Sequence, residues 1–200
     1  MKKISLALFL LVVLAAPLLR ADDDYGGYES SSSNRRGFSV GFGPIGNIFL
    51  IDTLPIMDPG IGGHVFFDYR FHQNVAFETS FFISNQEGAN VSKPDGSILL
   101  LGMPTFDIKY YYLNHSKWDP YFSTGVGFYM ITEGDSENST GGVGLGAQLG
   151  VGLDYRLTEL VSFGLQGTFR SISFISSTGT PSNSRAVFPY SLQANVAFHF

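Results

Sequence analysis

The sequence predicts an all-β protein: an eight-stranded antiparallel up-and-down β-barrel that crosses a membrane. Three observations predict it. From Gly37 onward, apolar and polar residues alternate with a period of two in eight successive segments. The connections between those segments alternate between short and long. The composition also suits a wall facing lipid, with 24 glycines, 19 phenylalanines and 10 tyrosines in 200 residues and only 14% charged residues, against about 25% in soluble domains.

The chain opens with the basic MKK, continues as the apolar ISLALFLLVVLAAPLL and turns acidic after Ala21. This pattern reads as a secretory signal over residues 1–21, with cleavage after Ala21 or Ala16. The apolar run falls short of the ~20 residues that span a bilayer as a helix. Residues 22–36, DDDYGGYESSSSNRR, are polar and aperiodic and read as a flexible tail. The barrel takes residues 37–200.

Its strands are expected at Gly37 to Phe49, Ile61 to Phe71, Val75 to Ser84, Ile98 to Leu113, Pro120 to Thr132, Val143 to Leu157, Val161 to Ser176 and Phe188 to Phe200. In the last, Phe188, Tyr190, Leu192, Ala194, Val196, Phe198 and Phe200 share one parity, and Ser191, Gln193, Asn195 and His199 share the other. HQN, NHSKWD and TEL make short connections; LIDTLPIMDPG, NQEGANVSKPDGS, EGDSENSTGG and STGTPSNSRA make long ones. An even strand number with short turns at one end puts both termini in the periplasm. A soluble lipocalin-like barrel or sandwich alternates in the same way with its apolar parity inside. The loop asymmetry and the aromatics near the short turns (Phe67, Tyr69, Phe71, Tyr110, Tyr112, Trp118 and Tyr155) decide for the membrane.

Several functions are excluded. Three of the 12 basic residues lie in the signal, so nine face 17 acidic residues, a formal net charge of −8 that does not suit nucleic-acid binding. Without cysteine there is no disulfide and no thiolate site. The four histidines, His64, His72, His115 and His199, show no metal-ligand spacing and no nucleophile–base–orienter arrangement. No catalytic, metal-binding or cofactor-binding residue is expected.

The chemistry instead gathers in a repeated cassette, Asp-x-basic, at Asp68 and Arg70, Asp107 and Lys109, and Asp154 and Arg156. With the aromatic parity facing lipid, these six residues and Glu78 point inward near the short turns, and Arg170 joins from deeper along its strand. A charge facing hydrocarbon at the midplane would cost ~2–4 kcal/mol, so inward placement is preferred. The cluster either closes the barrel as an ion-pair network or controls ions and protons passing through it. Inward glycines at 41, 43, 125, 127, 144, 146, 150 and 152 either let the strands bend, the favoured reading, or leave a cavity. Pro104 interrupts the fourth strand and predicts a bulge or gap in the wall.

The C-terminal run SLQANVAFHF, with Phe198 and Phe200, looks like the signal that small barrels present to the barrel assembly machinery. The stretch from Gly37 to Phe200 resembles the OmpA/OmpX-like superfamily of eight-stranded outer-membrane barrels. MPTFDIKYYYL, DPYFSTGVGFYM and GLGAQLGVGLDYRLTE are similar to OmpW-type segments, although Met103-Pro104 stands where a Pro-Pro pair is usual. The resemblance implies the outer membrane of a Gram-negative cell, with lipids, lipopolysaccharide and the assembly machinery as partners. A structural or surface-interaction role, with the long loops meeting the medium or a partner, needs the fewest assumptions. An OmpW-like passage for small hydrophobic solutes is the alternative, and a lipid-modifying enzyme is a distant third.

Overall fold

The structure, a computed structural model, describes residues 35–50, 59–87, 97–112, 117–134, 139–176 and 185–200. The signal, most of the tail and the tips of the long loops lie outside the described residues. The strands are β1 (Gly37–Phe49), β2 (Gly60–His72), β3 (Val75–Glu87), β4 (Ser97–Tyr111), β5 (Trp118–Gly134), β6 (Ser139–Arg156), β7 (Val161–Ser176) and β8. β8 comes in two segments, Arg185–Val187 and Pro189–His199. Both hold one register against β7, with Val187 opposite Ile172 and Tyr190 opposite Phe169, so they form a single strand. The break falls at Phe188, where Pro189 has no N–H to give the ladder. Each strand pairs antiparallel with the next, and β8 pairs with β1, closing an eight-stranded up-and-down barrel.

The two faces of the wall settle which kind of barrel this is. Phe67, Phe163 and Leu165 are 53%, 47% and 57% exposed on the outside, whereas Asp107, Gln148 and Arg170 are at most 3% exposed inside. Leaving a Leu or Phe in water forfeits ~1.5–3 kcal/mol each, so a full belt of them is stable only against hydrocarbon. Paired aromatics ring the short-turn end: Phe38 with Tyr69 (4.5 Å between ring centres), Trp118 with Tyr155 (4.5 Å) and Tyr112 with Phe122 (5.4 Å). Rings at that level suit the membrane–water interface.

Several strand ends run past expectation: β3 continues to Glu87, β8 begins at Arg185, and the fifth strand and its hairpin differ most. Trp118 and Asp119 belong to β5, opposite Tyr155 and Asp154, not to the turn before it. The β5–β6 ladder also runs on to Gly134 and Ser139, into the acidic segment read as loop. Main-chain hydrogen bonds propagate a hairpin without an apolar side chain to mark it.

At Pro104 the ladder is irregular. Thr105 lies opposite Ser80 and Gly127, and Gly102 opposite Phe82 and Tyr129, so Met103 and Pro104 are an extra pair facing one residue on each side. The Met103-Pro104 peptide is cis. A bulge of this kind changes the parity of a strand. Ile98, Leu100 and Gly102 face inward before it, and Thr105, Asp107, Lys109 and Tyr111 after it.

Candidate functional site

The site is the lumen, built in layers from the short-turn end. In the first layer the hub is Asp119, the first lumenal residue of β5. Its carboxylate accepts from Arg70 Nη1 at 3.2 Å, from Arg156 Nε at 3.3 Å and from Arg35. Arg70 also donates from Nε to the Gln73 carbonyl at 2.9 Å and lies 3.8 Å over the Tyr111 ring. Nearby, Ser162 Oγ and His199 Nε2 are 2.8 Å apart and tie β7 to β8. Ser162 is 2% exposed, so its hydroxyl is closed to solvent.

The second layer centres on Lys109. Its ammonium pairs with Glu78 and lies over the rings of Tyr121 (4.7 Å) and Phe66 (5.1 Å). Tyr111 donates to Asp154 Oδ2 at 3.3 Å, and Tyr121 to Gln166 Oε1 at 3.2 Å. The third layer is organised by Gln148. Its amide donates to Asp107 Oδ2, and its carbonyl accepts from the Tyr129 hydroxyl and from Arg170 Nε, both at 2.9 Å. Arg170 also donates to Ser191, which donates to Asn47, which donates to Ser84. Above these layers, toward the long loops, the lumen turns apolar: Ile45, Phe82, Ile98, Leu100, Ile131, Ile172, Phe174 and Val187 pack into one cluster.

All eight residues of the expected charge cluster point into this interior, but they do not pair as the cassette suggests. Arg70 and Arg156 leave the acids of their own strands and converge on Asp119. Asp154 takes a tyrosine, Asp107 takes a glutamine, and Asp68 Oδ2 is buried without a hydrogen-bond partner among the described residues. Residues two apart on a strand are ~6.6 Å apart along it, and a long arginine reaches another wall as easily as its neighbour. Sequence reasoning missed Asp119 and Arg35. Both had a signal: Asp119 shares parity with Tyr121 and Ser123, and Arg35 shares parity with Ser39 and Gly41.

The inward glycines do not leave a cavity where they meet rings. Phe66 lies over Gly41, Tyr121 over Gly152 and Tyr129 beside Gly146, each close enough that a Cβ would collide with the ring. They are seats for rings projecting across a narrow barrel. No group of three or more His, Cys, Asp or Glu among the described residues is placed to hold a metal ion. At the chain end, Phe198 and Phe200 face outward, and the Phe200 N–H bonds the Phe38 carbonyl at 2.8 Å.

This geometry has relatives. Neisserial surface protein A matches with a TM-score of 0.65 at 15% identity, over 82% of this chain and 97% of that one. Ail, the attachment invasion locus protein of Yersinia pestis, gives 0.55 at 13%, over 82% and 99%. OprG from Pseudomonas aeruginosa gives 0.54 at 18%, over 84% and 98%. No curated protein sequence matches. The sequence pattern of the outer membrane protein beta-barrel domain matches residues 6–200, nearly the whole chain, and with the closed lipid-facing barrel above it places this chain in that family.

Proposed function

We propose that the protein is a closed, non-enzymatic outer-membrane scaffold whose long loops carry a surface-interaction role, with both termini on the periplasmic side. The observation that carries this reading is the filling of the lumen: arginines on Asp119, then Lys109 and Glu78 among tyrosines, then the Gln148 and Arg170 network, then the apolar plug. An eight-stranded wall encloses only enough space for such side chains. The fold relatives include a surface protein and an attachment invasion locus protein, in keeping with a role at the cell surface. The outward apolar belt meets membrane lipid and lipopolysaccharide, and the strand ending in Phe198 and Phe200 is the segment offered to the assembly machinery.

An OmpW-like passage would require an opening near Pro104. On the lumenal side of that bulge Phe82 packs against Gly102, with Tyr129 beside it (ring centres 6.2 Å apart), which weighs against an exit there. The mature barrel, reconstituted in planar bilayers and in liposomes, is expected to give no steady conductance and no uptake of a small hydrophobic dye. Conductance or dye entry by a correctly folded barrel overturns the closed reading in favour of passage.

A further inference from the structure

Three carboxylates stand side by side across the inner wall. Asp68 on β2 is directly opposite Glu78 on β3, and Glu78 is directly opposite Asp107 on β4, all turned into the lumen. Like charges directly opposite one another on neighbouring strands repel. One ammonium, Lys109, reaches the row and pairs with its middle member. Arg170, across the lumen, approaches Asp107 only through Gln148 and makes no ion pair among the described residues. The other lumenal guanidiniums among the described residues, Arg35, Arg70 and Arg156, are held on Asp119 at the mouth. Asp119 and Asp154, opposite each other on β5 and β6, add negative field to the row and no cation.

Among the described residues the lumen balances, with five acids against five bases once Arg35 is included, but its two compartments do not. At the mouth three arginines converge on Asp119, and Asp154, opposite Asp119 on the neighbouring strand, is bonded by Tyr111 at the border between the two compartments. The inner compartment holds Lys109 and Arg170 against Asp68, Glu78 and Asp107, and is one positive charge short. The deficit shows at the flanks of the row: Asp68 Oδ2 and Asp107 Oδ1 are both buried without a hydrogen-bond partner among the described residues. A buried carboxylate with an empty lone pair is relieved at least cost by becoming neutral. The geometry points to a proton-holding site: the inner compartment keeps one proton at neutral pH, carried on Asp68 or Asp107. A metal ion does not replace it, because these groups lie on separate strands around Lys109 and no three of them are placed to coordinate one.

The test is infrared spectroscopy of the mature barrel in phosphatidylcholine vesicles in sodium buffer at neutral pH. The expected spectrum contains the band of one protonated carboxyl per chain, shifted by deuteration. Removing either acid cancels the deficit, so Asp68→Asn and Asp107→Asn should each abolish the band, while Glu159→Gln, in an exposed turn, should leave it. Heat-modifiable gel mobility verifies that each isosteric variant is folded. No band in the native barrel overturns the inference, as does a band that survives in both single variants. A band that appears only when sodium is replaced by a bulky organic cation also overturns it, in favour of a bound metal cation.

Discussion

The two halves of this lumen share one wall and one alternation of sequence, yet they are filled by opposite means. Near the short turns, the interior is charged and each cation is placed by directional contacts: three guanidiniums on Asp119, one ammonium between Glu78 and two rings. Near the long loops, the interior is a mainly apolar cluster around Leu100, Ile172 and Phe82, bordered by the buried Asn47, Ser84 and Gln86, and it is ordered chiefly by shape. The charged half is costly to bury and specifies one arrangement, because a removed partner leaves a charge stranded. The apolar half is cheap to bury and tolerates repacking. A narrow barrel can therefore be plugged at both ends while only one plug is sensitive to charge.

Four substitutions break or sharpen this contrast, in decreasing order of expected effect. Asp119→Ala strands three guanidiniums and should cost ~3–5 kcal/mol of stability, read from denaturant unfolding in lipid vesicles; a change below 1 kcal/mol would remove Asp119 from its central place. Leu100→Ala leaves a hole in the apolar half and should cost ~2–4 kcal/mol in the same assay. Arg156→Ala, whose side chain is 17% exposed, loses a charge-assisted bond but leaves a carboxylate still held by two other arginines. It should cost ~1.5–3 kcal/mol and lower the unfolding temperature, and an unchanged melting profile would exclude it from the network. Gly152→Ala pushes a methyl into the Tyr121 ring, for ~1–3 kcal/mol of overpacking, with a perturbed tyrosine signal in near-ultraviolet circular dichroism.

Much of the fold was legible because a strand in a lipid-facing wall has little freedom: outward residues must be apolar, and the period of two then fixes every inward one. The boundaries of β1 and β7 and the inward placement of Glu78, Lys109 and Arg170 follow from that rule. The partners were not legible, because alternation says which way a side chain leaves the backbone and nothing about where a long one ends. The cassette therefore suggests Asp68, two residues away, as the partner of Arg70, whereas its partner comes from β5. Asp119 escaped because it sits beside turn residues, and Arg35 because it closes an aperiodic polar run. The apolar half was hidden for another reason. Its β4 members, Ile98 and Leu100, have the opposite parity to Asp107 and Lys109, which no single alternation can accommodate.

That reversal comes from Met103 and Pro104. In effect β4 is written in two reading frames joined by a one-residue frameshift, and the joint decides that an oily side chain above and a charged one below both turn inward. Substituting a residue on either side changes one contact. Losing a single residue at the joint would instead reassign one whole segment, sending either the oily plug or Asp107 and Lys109 out to the lipid. The length of β4 is thus as much a part of the code for the interior as the identity of any residue within it.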